Sequence, residues 1–469
     1  MNNRISNKFT LPGLIRFSLP AIAMLVLSSL YTMVDGVFVS RFVGSDALSS
    51  INIVVPLDYF IYGLGVMFGS GGSAVIGRRL GEGRNDDAKS ALTLITLAAT
   101  AAGIFFSVIF GIFMEPISRV LGAGDKLMPY CVSYGRIIFS LAVFTVIQLM
   151  NNTLIVTAGH PRLALVLTII SGVLNMVLDY FFIVVCDMGI NGAALGTIIS
   201  RIVGALLSVI FLISNKKGLT YKKPKWEGRM LLRVTGNGSS EMISNLSSSV
   251  TTFLFNLTVL RLVGDDGVAA ITIILYMQYF FTAVYLGFST GTAPVISYNY
   301  GREDWNYIRK LFRYCMIVII AGTAAMMLLS YFGADILIGI FSPEGSRIFQ
   351  ITYDGYMIFI WNFAFAGINI FASSMFSAFG NGMISALISI LRTLVFIVAS
   401  IMVLPEIWGI YGMWMAIPVA EALTFVLVVP ILIIYGRKKY HHTDKYYSDT
   451  ERSNYYIFEW RYVVVKERR

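Results

Sequence analysis

Apolar residues run for twenty or more positions at a time along nearly the whole chain, and short gaps bearing charged residues separate the runs. The runs fall near 14–39, 50–77, 91–113, 130–156, 163–186 and 192–213, then near 239–261, 268–296, 314–341, 350–377, 384–405 and 409–435. A helix rises about 1.5 Å per residue, so about 20 apolar residues cross the hydrocarbon of a bilayer. The pattern predicts an all-α polytopic membrane protein of twelve transmembrane helices in two sets of six. The organisation reads as a cytoplasmic N-terminal segment (1–13), an N-lobe (14–213), a basic cytoplasmic linker (214–238), a C-lobe (239–435) and a cytoplasmic tail (436–469). Ala21-Ile22-Ala23 has the small residues of a signal-peptidase site, but it opens the first run instead of closing it. That run therefore reads as a retained helix.

The two sets are copies of one another at an offset of 220 residues. Arg41, Val43, Gly44, Asp46, Tyr59, Phe68, Gly71 and Gly81 recur as Arg261, Val263, Gly264, Asp266, Tyr279, Phe288, Gly291 and Gly301, with no gap between them. Gly135, Ile138 and Phe139 recur as Gly355, Ile358 and Phe359, and Gly189-Ile190-Asn191-Gly192 as Gly409-Ile410-Tyr411-Gly412. Six helices per copy is an even number, so both copies enter the membrane from the same side. The lobes are then parallel repeats related by an axis along the membrane normal, an organisation found in transporters.

Charge sharpens this picture. Only 13% of the residues are charged and 57% are hydrophobic, against about 25% charged in a soluble domain. The net charge of +10 sits in alternate loops. Arg78, Arg79, Arg84 and Lys89 follow the second span, seven basic residues from Lys216 to Arg233 follow the sixth, Arg302, Arg309, Lys310 and Arg313 follow the eighth, and Arg437, Lys438 and Lys439 follow the twelfth. The positive-inside rule puts both termini in the cytoplasm and makes nucleic-acid binding an unneeded explanation. Cys131, Cys186 and Cys315 have no metal or disulfide spacing. The histidines are His160, His441 and His442, none inside a span, and no P-loop sequence is present. No enzyme, cofactor or resident metal site is expected. The tail, including Tyr455 to Trp460, reads as surface-lying or disordered and receives no function.

The candidate chemistry lies in acids placed where charge is costly. Asp35 is late in the first span and Asp179 late in the fifth; both spans run outward, so the two acids reach similar depth. Asn175 precedes Asp179 by one helical turn, on the same face. The sixth span starts outside with Asn191-Gly192-Ala193-Ala194-Leu195-Gly196-Thr197, which brings Thr197 to the same depth. Two acids close together in low dielectric cannot easily both ionise, so the pair is expected to titrate as a unit. Its oxygens suit a proton, or sodium as a hard cation. The offset turns Asp35 into Phe255 and Asp179 into Ala399, so this chemistry belongs to the first half alone. Tyr31, Gln148, Asn152, Glu241, Gln278 and Glu421 are candidate cavity residues. Arg201 and Glu421 are equivalent by the offset, which raises a pair across the two halves as an expectation. Asp58 stays unassigned.

The chain resembles the multidrug and toxic compound extrusion (MATE) family. Tyr31-Thr32-Met33-Val34-Asp35, Phe38-Val39-Ser40-Arg41-Phe42-Val43-Gly44 and Gly77-Arg78-Arg79-Leu80-Gly81-Glu82-Gly83 carry the resemblance, supported by Asn175, Asp179 and Gly192-Ala193-Ala194. It covers roughly residues 10–435, and the branch resembled is bacterial with acids in the first lobe. It implies a V-shaped pair of six-helix bundles around a central cavity. It also implies antiport of cationic, amphipathic drugs, small organic cations, against protons or sodium. The coupling ion would sit on Asp35 and Asp179, with Asn175 and Thr197 as further ligands. The protein would act as a monomer in the cytoplasmic (inner) membrane of a bacterium and contribute to antibiotic resistance. Second-lobe coupling lacks a clear partner acid for Glu241. A lipid-linked oligosaccharide flippase or another solute exporter of related fold is the alternative, and a polytopic membrane enzyme a more distant one.

Overall fold

The computed structural model describes residues 4–216 and 218–443, so the tail stretch Tyr455 to Trp460 lies outside the described residues. The chain divides into two compact units, Met1–Phe425 and Val426–Arg469. The described residues are helical with short connections. The N-lobe comprises α1 (Leu11–Phe42), α2 (Ser45–Gly81), α3 (Asn85–Val120), α4 (Met128–Phe139), α5 (Ala142–Thr157), α6 (Pro161–Asp179) and α7 (Gly189–Ser214). The C-lobe comprises α8 (Gly228–Val263), α9 (Asp265–Gly301), α10 (Trp305–Phe332), α11 (Ala334–Gly339), α12 (Arg347–Phe359), α13 (Phe363–Ala378), α14 (Gly382–Ile390) and α15 (Phe396–Thr443).

Among the described residues these helices make twelve spans. Ten are long and apolar enough to cross a membrane, and α4 with α5, bent by 52°, form an eleventh. The twelfth comes from the run Gly382–Tyr435, whose 54 residues are far more than one crossing needs. Gly409 breaks it with φ 56° and ψ −134°, a backbone that only glycine adopts without strain. Its repeat partner Gly189 also has positive φ, 54°, at the start of α7. One turn thus ends the fifth span of each lobe. The breaks in the fourth spans also correspond: Ser140–Leu141 separate α4 from α5, and a tight turn at Ile360–Asn362 separates α12 from α13.

The lobes meet through α1, α2, α8 and α9. Small residues let the backbones touch, as membrane helix packing requires in the absence of a hydrophobic driving force. A Cβ on Gly71 of α2 would come 1.9 Å from the Val234 carbonyl of α8, and one on the equivalent Gly291 of α9 would come 2.8 Å from Ser18 of α1. At the end bearing Arg78 and Arg79 the symmetry becomes explicit. A Cβ on Gly81 would meet the Tyr298 carbonyl at 1.9 Å, and one on Gly301 would meet the Arg78 carbonyl at 2.1 Å. Gly81 and Gly301 are repeat equivalents, and so are Arg78 and Tyr298. Gly77 and Ser297 are also equivalent, and a Cβ on Gly77 would lie 3.2 Å from that of Ser297. A residue that touches its own repeat partner lies on the pseudo-twofold axis. The axis therefore passes between α2 and α9 at Gly77 and Ser297, and this end of the interface is shut.

Two segments at the same end cross between the lobes. Ahead of α1, Lys8 pairs with Asp304 of the C-lobe at 2.9 Å, and the Phe9 N–H donates to the Tyr307 hydroxyl. Burial opposes ionisation of Asp304, but the Lys8 ammonium and the Tyr307 N–H hold its carboxyl below the usual range. Ahead of α8, the linker lies on α3. Lys222 pairs with Asp86 at 3.0 Å and Lys225 with Asp87 at 3.2 Å, while the Lys225 N–H donates to Ser90 Oγ at 2.7 Å. Each lobe is thus preceded by a strap bound to the other.

The axis position makes a direct prediction. In a Gly77→Cys, Ser297→Cys double variant the two Cβ atoms would be close to the ~3.5–4.5 Å that a disulfide spans. Mild oxidation should link them efficiently, read as one band on a denaturing gel after proteolysis within the linker. Failure to link would mean that this end stands open in the membrane.

Candidate functional site

The site is assembled where α1, α6 and α7 meet. Asp35 lies near the end of α1. Asp179 is the last residue of α6 and the helix then widens into a π-helical stretch, Tyr180–Val185. Such widened turns recur at functional positions because they break the regular side-chain register. Asp179 is fully buried. Its carboxyl faces that of Asp35 closely enough for a proton to bridge them. Asn175 also approaches Asp179, but short of hydrogen-bond geometry, so both Asp179 oxygens are without a donor. The Asn175 amide instead donates to the Thr197 hydroxyl at 3.4 Å. The four residues singled out from sequence, Asp35, Asn175, Asp179 and Thr197, are therefore neighbours.

Two glycines make the room. A Cβ on Gly196 would fall 2.2 Å from Asp179 Oδ1, and one on Gly172 would fall 2.0 Å from the Tyr31 ring. Gly196 lets α7 close over the acid, and Gly172 lets Tyr31 lie flat on α6. An unpartnered carboxylate in a dry site costs several kcal/mol. Two carboxyls that face one another with no donor between them are satisfied by a proton or by a small cation. The surrounding amide and hydroxyl oxygens add hard ligands of the kind sodium takes.

A second group of charges adjoins the first. Arg201 of α7 donates to both oxygens of Asp58 on α2, Nη1 to Oδ1 at 2.9 Å and Nη2 to Oδ2 at 3.4 Å, and Nη1 also reaches Thr145 Oγ1 at 3.3 Å. The expected Arg201–Glu421 pair across the halves is not formed. Glu421 is 2% exposed, and Arg392 reaches it through Nε at 2.8 Å and Nη2 at 2.7 Å. The Asn369 amide donates to its other oxygen at 2.7 Å. Each lobe neutralises its own charge: Arg201 turns to Asp58 on α2, and Glu421 to Arg392 and to Asn369 on α13.

The other cavity candidates scatter. Tyr31 belongs to the acid site. The Gln148 amide donates to Ser171 Oγ at 3.0 Å and packs against Gly204, a link among α5, α6 and α7. Asn152 and Gln278 are half-buried. Glu241 of α8 is half-buried within electrostatic reach of Arg392 and of Tyr62 from α2. Sequence reasoning missed the Asp58–Arg201 pair, although an acid and a base inside spans call for one another. It also missed the roles of Gly172 and Gly196, whose signal was their place opposite Tyr31 and Asp179.

Two repeated helical bundles of membrane-spanning length, with an oxygen-rich acid pair in one of them, define the class as a polytopic membrane transporter. The MatE family model matches residues 20–181 and 242–402. The chain belongs to the MatE family, the one that its sequence resembles. It is 25% identical over 427 residues to the multidrug export protein MepA of Staphylococcus saprophyticus, covering 90% of this chain and 93% of that one. Its identity to MepA of Staphylococcus aureus strain MRSA252 is 23% over 425 residues, with the same coverage. Among solved structures, a multidrug resistance MATE family transporter in an outward-facing conformation matches with a TM-score of 0.85 at 21% identity, over 92% of this chain and 96% of that one. The Vibrio cholerae MATE transporter VcmN matches with a TM-score of 0.84 at 21% identity, over 91% and 96%.

Packing and charge at the acid site should move stability in opposite directions. Gly196→Val should destabilise the detergent-solubilised protein by about 1–3 kcal/mol, the usual cost of overpacking. Asp179→Asn, which supplies the missing donor to Asp35, should raise the melting temperature. A fall in both variants would show that the acid pair is already satisfied in the native protein.

Proposed function

We propose that this chain is a multidrug efflux antiporter that expels cationic, amphipathic compounds in exchange for protons or sodium. The observation that carries the reading is the Asp35/Asp179 pair, in which Asp179 is fully buried and its oxygens have no donor. Its relatives' printed role as multidrug export proteins of bacteria supports the substrate class and a bacterial cytoplasmic membrane. The basic end, with both straps, is then cytoplasmic, and the protein acts as a monomer.

In this mechanism the coupling ion enters from outside and neutralises the acid pair. The packing of α1 on α6 and α7 changes, drug affinity falls, and the lobes rock about the axis between α2 and α9. One charge moving down about 100 mV releases about 2.3 kcal/mol. Expelling a monovalent cation against the same potential costs the same amount, so a one-for-one exchange runs on the ion's concentration gradient alone, and a second entering ion is what would sustain a drug gradient of about fiftyfold, at about 1.4 kcal/mol per decade. A flippase for pyrophosphate-linked lipids would need free basic side chains in the cavity. Arg201 and Arg392 are each held by a carboxylate, which argues against that alternative.

Dye efflux from proteoliposomes, under proton and sodium gradients imposed separately, tests the reading. Wild type should extrude a cationic dye under one gradient, which names the ion. Asp35→Asn should insert normally and lose gradient-driven efflux by at least tenfold. Normal efflux by Asp35→Asn would make the acid pair structural, and no dye movement by wild type would remove the antiport reading.

A further inference from the structure

Asp58 has no part in the antiport mechanism above, yet its side chain is 37% exposed while the Arg201 side chain that holds it is 22% exposed. Arg201 stands between two claims. On one side it donates twice to Asp58. On the other, Asp35 lies within electrostatic reach of Arg201 and of Asp58. Tyr134 of α4 is set among Asp35, Asp58, Asp179 and Arg201, so these charges form one group.

Asp58 also heads an aromatic face. Tyr62 follows it by one helical turn on the same side of α2, and Tyr59 is adjacent. Tyr279 of α9, the repeat equivalent of Tyr59, lies within reach of Tyr59, Tyr62 and Asp58. It is 42% exposed, and Tyr276, about one helical turn before it, is 38% exposed. Glu241 of α8 approaches Tyr62 from the far side. A carboxylate among ring faces is the chemistry that recognises an organic cation.

We infer that Asp58, with Tyr59, Tyr62 and Tyr279, forms a subsite for the organic cation, and that Arg201 gates it by exchanging between Asp58 and Asp35. This rests on the antiport reading. While the coupling ion occupies the acid pair, that pair carries one negative charge instead of two and Arg201 stays on Asp58. The Asp58–Arg201 pair then has no net charge, and the subsite releases its cation. When the ion leaves, Asp35 and Asp179 hold an uncompensated negative charge. Arg201 is drawn to Asp35, and Asp58 is left free among the tyrosines. Arginine suits this exchange because it stays charged and its forked donors fit a carboxylate on either side. Ion and drug compete through one guanidinium without sharing a site.

The test is equilibrium binding of tetraphenylphosphonium to the purified full-length protein, with and without the coupling ion, proton or sodium. Wild type should bind the probe several-fold more tightly without the ion. Asp58→Asn should weaken ion-free binding by about tenfold, a factor that corresponds to losing one close charge contact. Arg201→Gln should leave binding tight and nearly independent of the ion. If that variant does not fold, the neutral pair Arg201→Gln with Asp58→Asn removes both charges together and should bind weakly with the ion or without it. Full ion dependence retained in either Arg201 variant would overturn the gate while leaving antiport intact. Wild-type binding unaffected by either ion would overturn both.

Discussion

Charges inside a hydrocarbon layer must be neutralised within the protein, and that constraint organises the spans of this protein. The N-lobe settles Arg201 on Asp58, and the C-lobe settles Arg392 on Glu421 with help from Asn369. After those pairs are made, Asp35 and Asp179 remain together with no cation beside them except the one already engaged by Asp58. A pair of like groups without a donor is unfinished, and in the proposed antiport its partner is the coupling ion.

The duplication supplies the mechanical frame. Glycine at positions 77, 81 and 301, with Ser297, brings α2 and α9 into backbone contact on the axis. A Cβ at position 81 or 301 would collide with the facing backbone, so this contact can hold the basic end shut with very little buried volume. The straps reinforce it by tying each lobe to the helix at the edge of the other through exposed ion pairs. Such pairs are individually weak, so they steady the closed end without fixing it. Away from this end the helices carry tyrosines in place of glycines, and Tyr59 and its equivalent Tyr279 stand at the interlobe surface. The same two helices therefore form the seal and carry the tyrosines of the proposed cation subsite.

Much of this was legible in the chain. Apolar run length predicts the spans, since it reports directly on bilayer thickness. The constant offset of 220 residues predicts parallel lobes. The spacing of Asn175 and Asp179, and the depth count for Asp35 and Thr197, place those residues near one another because helical rise is fixed. What the offset could not say was which equivalent residues face each other. Arg201 and Glu421 are equivalent yet apart, since the axis runs through α2 and α9 and not through α7.

The sequence alone determined the membrane class, the twofold repeat and the inventory of buried charge, all of which follow from periodicity and from the cost of charge in hydrocarbon. Only the tertiary structure decided the pairing of those charges. Arg201 meets Asp58 across 143 residues, and Asp179 fits its place because Gly196 on another helix has no side chain. Such contacts depend on helix rotation and crossing angle, which are set by packing summed over whole helices and are not written at any one position of the chain.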